Sequence, residues 1–363
     1  MTDLTKYLQD EIRLHPSLAP QDVVKLCYQG AFGAEHALTD SIGAKAYFLE
    51  EYVVTPADSK PLAEYIAPEV CRVNLSAWKR LGLNPEWLWG LFINAIPLGE
   101  EAGKDNDVFT DFLAQADKLC KVGEFPFSYP QWQEYICEYN EAAPAGQHGV
   151  EFPPVRHSAM YRENEKPAYR ILSGLSAIAL PIFEEMAGLS GGVIALDGRA
   201  AAGKSTLGAL LGKIIGPAGI VIQMDDFFLP PELRIPERLA QPGGNVHHER
   251  FVLEVLPNLR SGHGFKYRKF DCSFMGYSDT PAEILPHPWR VVEGVYSCHP
   301  ALGNYMDIRV FMDITPEEQK SRITRLNSEK IAADYFAKWI PMEEAYFKAH
   351  NPGGILLCST PRK

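Results

Sequence analysis

Long apolar runs are missing from this sequence. No stretch approaches the roughly 18 apolar residues that a membrane span needs, so no membrane partner is expected. An excess of positive charge is missing too. Lys and Arg number 35 against 46 Asp and Glu, for a net charge of −11, which speaks against a general nucleic-acid binder. A local basic site remains compatible with that balance. Cysteine is sparse: the seven residues are widely spaced and form no C-x-x-C pair, which excludes a disulfide framework or a cysteine-rich zinc module. They read mostly as small buried hydrophobes in a reducing compartment. The first residues lack the basic and then apolar segments of a signal peptide. A cytoplasmic protein is the expectation. His247-His248-Glu249 also lacks the i, i+4 histidine spacing of a zinc helix.

What is present suits a folded protein with a sizeable core. Of 363 residues, 46% are hydrophobic and 22% charged, and the length predicts two domains. Residues 1–165 read as a mainly α-helical domain. Asn84-Pro85-Glu86 is a helix start, with Leu88, Leu91, Phe92 and Ala95 following at helical spacing. Residues 22–28 and 43–52 read as two more helices, and the loop 123–130 precedes another carrying Trp132, Tyr135, Ile136 and Tyr139. No alternating strands stand out there. Trp78, Trp87 and Trp89 read as core, and the glycines of Gln29-Gly30-Ala31-Phe32-Gly33-Ala34-Glu35-His36 as helix-end turns.

Residues 166–363 change period. After a helical stretch over 168–187, short apolar runs at 193–196, 220–222, 291–292 and 308–312 alternate with helical patterns. That alternation predicts an α/β domain built on a parallel sheet.

One motif sets the class. Gly198-Arg199-Ala200-Ala201-Ala202-Gly203-Lys204-Ser205, followed by Thr206, matches G-x-x-x-x-G-K-[ST]. Its glycines allow a tight turn whose N–H groups converge on phosphate oxygens, at the positive end of the following helix. Lys204 is placed to reach the β- and γ-phosphates, and the Ser205 hydroxyl to ligate Mg²⁺. The context fits, because a strand precedes the motif and Leu207, Leu210, Leu211 and Ile214 give the next helix an apolar face. The strand at 220–223 ends in Met224-Asp225-Asp226-Phe227-Phe228, where either acid could accept a hydroxyl proton or hold Mg²⁺ through water.

These residues resemble the uridine kinase, nicotinamide riboside kinase and phosphoribulokinase/pantothenate kinase branch of P-loop kinases, over about 190–360. The resemblance implies that Asp225 is the catalytic acid of the strand-end run and that Asp226 and Phe228 lie on the substrate side. It places a metal-site or catalytic acid at Glu293 in Val291-Val292-Glu293-Gly294. It implies a lid carrying Arg322 and Arg325 on the helix that follows the Thr315-Pro316-Glu317-Glu318 cap. Gly244 to Phe251 is similar to the Asn-Phe-Asp-His-Pro-Asp segment of uridine kinases. Asn245 and His248 match, but His247 replaces the ribose-binding Asp. Asp271 matches one member of the family's Tyr-Asp pair, and Lys266, Arg268 and Lys269 add positive charge beside it. They fit an anionic acceptor or an ordinary charged hairpin equally.

The expected activity is ATP-dependent phosphorylation of a small hydroxyl compound, such as a nucleoside. Asp225 is the expected base with Glu293 as rival, and a homo-oligomer is compatible with it. A nucleotide-dependent switch with the helical half as effector, and an ATP-binding protein without catalysis, remain the alternatives.

Overall fold

The computed structural model describes residues 3–34, 41–96, 106–142, 145–146, 149–150 and 152–358. Two compact units divide between Ala177 and Ile178, later in the chain than the expected division after residue 165.

The first unit is mainly helical. Helices Thr5–Leu14, Pro20–Phe32, Asn106–Lys121 and Tyr129–Ala142 bury Leu8, Val24, Cys27, Phe109, Phe112 and Trp132 in one core. Asn84 caps helix Pro85–Asn94 by accepting the Glu86 N–H, as its sequence predicts. Gly30 is a packing glycine inside its helix, not a turn: a Cβ there would lie 2.6 Å from the Phe112 ring. Gly33 does end that helix, with φ +61°. Glu35 and His36 lie outside the described residues. Trp78 is fully buried, whereas Trp87 and Trp89 are half-buried.

This unit also holds an antiparallel sheet that the sequence does not announce, in the order Ala63–Ala67, Val70–Asn74, Tyr169–Ser173. Val70–Asn74 is buried on both faces, so no alternation marks it. Tyr169–Ser173 pairs with it, which corrects the helix expected from residue 168 and carries the first unit past residue 165. Arg72 explains the buried middle of the sheet. Its Nη1 donates to both oxygens of Glu11 (2.8 and 2.9 Å), and Nε and Nη2 donate to Gln29 Oε1. Gln29 Nε2 donates to Tyr169 Oη, which lies 2.7 Å from His157 Nε2, and His157 Nδ1 lies 3.0 Å from Asp22. Burial holds His157 down at about 4, against the pull of Asp22. The ring is therefore neutral: its Nδ1–H donates to Asp22 and Tyr169 donates to Nε2.

In the second unit, β1 (Gly192–Gly198), β2 (Val221–Gln223), β3 (Trp289–Glu293), β4 (Ile308–Asp313) and β5 (Ile355–Cys358) form one parallel sheet in the order β5-β4-β1-β3-β2. The four apolar runs of the sequence are β1 to β4; β5 was not anticipated. Helices α1 (Lys204–Ile215), α2 (His248–Glu254), α3 (Pro316–Leu326) and α4 (Ile340–His350) accompany the sheet. The result is an α/β domain on a parallel sheet, with the glycine-bearing motif 198–205 where β1 passes into α1, preceded in the chain by the mainly helical unit. Because the strands are parallel, the carboxyl ends of β1, β2 and β3 share one edge, where α/β sheets place ligands. Between β2 and β3, Phe265–Tyr267 pairs with Ala282–Ile284, and Phe270–Asp271 with Gly276–Tyr277.

Cys27, Cys71, Cys120 and Cys298 are buried as expected, but Cys137, Cys272 and Cys358 are exposed; all seven are free thiols. Among the described residues no helix is long and apolar enough to cross a membrane.

Candidate functional site

The loop between β1 and α1 needs its two glycines. Gly198 has φ +132°, and a Cβ there would sit 2.1 Å from the Met312 carbonyl oxygen on β4. Gly203 has φ +98° and caps α1. Between them Ala201 takes a left-handed φ of +59°, an uncommon state for a residue with a side chain. Ala202 is buried, while Ser205 and Thr206 are exposed in the first turn of α1. Lys204 is only 7% exposed, and its Nζ donates to the carbonyls of Gly198 (2.9 Å) and Arg199 (2.7 Å). Burial pulls its pKa below the usual lysine value, opposed by the charges of Glu343, Asp197, Glu293 and Asp225.

The acids converge on this helix end. Glu293, last residue of β3, accepts a hydrogen bond from Ser205 Oγ at 3.1 Å. Burial and the neighbouring Asp225 push its carboxyl up to about 7, against the pull of Lys204 and Ser205. Asp225, just past β2, opens to solvent, yet the protein around it raises its pKa, with Lys204 opposing. Asp226 is 5% exposed and accepts the Tyr267 hydroxyl at 2.8 Å.

The sequence reading missed four residues that build the loop's surroundings. Asp197 is fully buried and accepts the N–H groups of Gly198, Tyr296 and Cys298 and the Tyr346 hydroxyl, tying β1 to the loop after β3. Glu343 on α4, 2% exposed, accepts the Ala200 N–H at 3.0 Å. Gln319 on α3 donates to both Glu343 and the Ala200 carbonyl. Tyr267 fixes Asp226. Asp197 was legible as an acid at a strand end; nothing in the pattern of α3 or α4 marks Gln319 or Glu343.

The two arginines expected in a lid are placed differently. Arg322 pairs with Glu318 at 2.7 Å and reaches the Ala201 carbonyl at 3.3 Å, so it lies against the loop. Arg325 is exposed one turn further along α3. Thr315 caps α3 by accepting the Glu318 N–H. Arg199 of the loop pairs with Asp313 and Glu344.

On the other flank, Phe228 and Val246 form an isolated bridge that sets the Asn245–His248 turn beside the strand-end acids. The side-chain oxygen of Asn245 and Nε2 of His248 are buried without a partner among the described residues. His248 stacks on His299 with centroids 4.1 Å apart, and burial holds its pKa at about 3. His247 caps α2, its Nδ1 facing the Arg250 N–H (3.3 Å) and Glu249 (3.1 Å). Arg268 pairs with Glu254 and lies over the Tyr277 ring. Asp225, Asp226 and Asp271 line a cleft of about 370 Å³ together with Lys269.

Magnesium is the ion that the sequence resemblance to P-loop kinases implies. A serine hydroxyl 3.1 Å from one carboxylate, with a second acid beside it, is a hard-oxygen set that fits magnesium carried with phosphate. Among the described residues no group of three or more His, Cys, Asp or Glu is placed to hold a metal alone.

No family model matches the sequence. Among solved structures, half of the chain is similar to a possible uridine kinase from Bacillus stearothermophilus. That match has 17% identity and a TM-score of 0.37, and covers 50% of this chain and 96% of that one. A provisionally named fructose transport system kinase from Silicibacter sp. TM1040 matches at 21% identity and TM-score 0.40, over 52% of this chain and 98% of that one.

Proposed function

We propose that the second unit is an ATP-dependent kinase that phosphorylates a hydroxyl group of a small molecule. The observation that carries this reading is the meeting of Lys204, Ser205, Glu293 and Asp225 at one edge of a parallel sheet, beside a cleft that Asp225 lines. The loop Gly198–Thr206 cradles the phosphates with its N–H groups. Lys204 leaves the carbonyls of Gly198 and Arg199 to pair with the β- and γ-phosphates. Ser205, Glu293 and Asp225 would hold magnesium. When bound, that ion would supply positive charge to neutralise the charge that develops during transfer.

Asp225 takes the proton of the acceptor hydroxyl as the new O–P bond forms. The bond from the γ-phosphorus to the bridging oxygen breaks, and ADP leaves with that electron pair. Arg322 swings from the Ala201 carbonyl to the transferring group, joined by Arg325. Asp225 is preferred to Glu293 as base because it opens on the cleft, whereas Glu293 is turned to Ser205. Asp226, Phe228, Asn245, His247, His248, Arg268 and Asp271 frame the acceptor side.

Lys204→Ala tests the nucleotide half of the reading. Circular dichroism of this variant is expected to match the wild type while ATP turnover disappears. Undiminished turnover would show that the loop is not the phosphate site.

A further inference from the structure

The charge of the acceptor cleft points to the kind of molecule it takes. Three carboxylates, those of Asp225, Asp226 and Asp271, line it against one ammonium, that of Lys269. Most other cations of this segment are engaged elsewhere. Lys266 pairs with Glu283, and Arg268 pairs with Glu254 while stacked on Tyr277. Arg250 is held by Glu254 and by the carbonyls of Asp226 and Arg268. Arg234 donates its Nε to the Leu229 carbonyl but keeps its charge, which acts on Cys272 of the cleft wall. Lys204 belongs to the phosphate side, bonded to the loop carbonyls.

Asp226 and Asp271 are anchored where they are. Tyr267 donates to Asp226, and the Ser273 N–H donates to Asp271. An acceptor that already bore a phosphate or carboxylate would meet three acids, two of them anchored, with Lys269 in the wall and Arg234 near Cys272 to answer them. A protonated amine would find carboxylates in place, and the Ser278 and Thr280 residues of the wall offer hydroxyls to a polyol.

Resting on the kinase reading above, we infer that the acceptor is a hydroxyl compound without phosphate or carboxylate, and that amine-bearing polyols are preferred. Asp226 and Asp271 set that preference. The positive charge of 266–269 in the sequence therefore does not mark an anionic acceptor.

The test uses matched triplets: a neutral hydroxyl compound, its amino analogue and its phosphate ester, on hexose, pentose and nucleoside scaffolds. Binding to the full chain is measured by calorimetry with a non-hydrolysable ATP analogue and magnesium, and phosphoryl transfer is measured separately with labelled ATP. The amine is expected to bind best and the phosphate ester worst. Asp271→Asn is expected to narrow the amine-to-ester ratio by about tenfold, the scale of one nearby charge at intermediate dielectric. Tightest binding by the phosphate ester, a ratio unchanged in Asp271→Asn, or no binding by any compound overturns the inference. Charge-ordered binding without any transfer overturns the kinase reading and leaves the cleft's preference standing.

Discussion

Glu293 should be a residue whose charge the second unit supports at the expense of its own stability, and Glu293→Gln exposes this. The carboxyl is 5% exposed and pushed up to about 7 from an ordinary 4.5, first by burial and then by Asp225. At about 1.4 kcal/mol per tenfold change, that displacement corresponds to roughly 3 kcal/mol favouring the protonated form in the folded chain. The sign follows from which state binds the proton. Below about pH 4.5 the group is protonated folded or unfolded, and contributes no difference. Between about 4.5 and 7 the unfolded chain loses its proton first, so stability falls as pH rises through that window. Above about 7 the loss is complete. An amide keeps an acceptor for Ser205 but buries N–H donors of its own, which reduces the gain to about 1–2 kcal/mol. For a unit of this size that is a rise of roughly 2–8 °C in Tm. The assay is calorimetry of both proteins in chelator at pH 8 and pH 4.5, following the transition that ATP analogue and magnesium shift in the wild type. Glu293→Gln should melt higher at pH 8, with the difference vanishing at pH 4.5, and should bind magnesium nucleotide more weakly. Equal or lower stability at pH 8 would refute the reasoning.

Three further outcomes are expected. Asp225→Asn should lower kcat by about 10²–10⁴-fold with little change in ATP affinity, read by steady-state kinetics; if Glu293→Gln is crippling and Asp225→Asn mild, the base has been misassigned. Glu343→Ala strips an acceptor from the Ala200 N–H and from Gln319, at about 1–3 kcal/mol of stability; a denaturant midpoint equal to wild type would deny Glu343 that role. Arg72→Ala should destabilise the first unit by about 3–5 kcal/mol, because it strips the bidentate partner from buried Glu11 and leaves it with His15 at 4.0 Å; a loss below about 1 kcal/mol would mean that His15 compensates.

Much of the second unit was legible because its chemistry is local. The loop 198–206 is contiguous, its glycines are demanded by backbone angles, and the acids stand where strands end. The apolar runs of β1 and β3 are buried on both faces, while β2 and β4 keep partly exposed residues but remain short apolar runs between helical patterns. Strand β5 was hidden because Ile355-Leu356-Leu357-Cys358 is short and partly exposed. Glu343 and Gln319 were hidden for another reason: each reaches Ala200 from a distant helix, and no periodicity encodes that convergence. In the first unit, Tyr169–Ser173 is extended because it pairs with Val70–Asn74, a contact between segments far apart in sequence. Arg72 broke the pattern further, since a charged residue argues against a buried strand until Glu11 and Gln29 are seen around it.

The central claim is phosphoryl transfer from ATP at the loop that ends in Lys204 and Ser205. Its most direct measurement is the appearance of label from γ-labelled ATP in a panel of hydroxyl compounds, with wild-type and Lys204→Ala protein run side by side. Label should pass to at least one neutral or amine-bearing acceptor with the wild type and to none with the variant. ATP hydrolysis that no acceptor changes, or transfer that persists in Lys204→Ala, would contradict it.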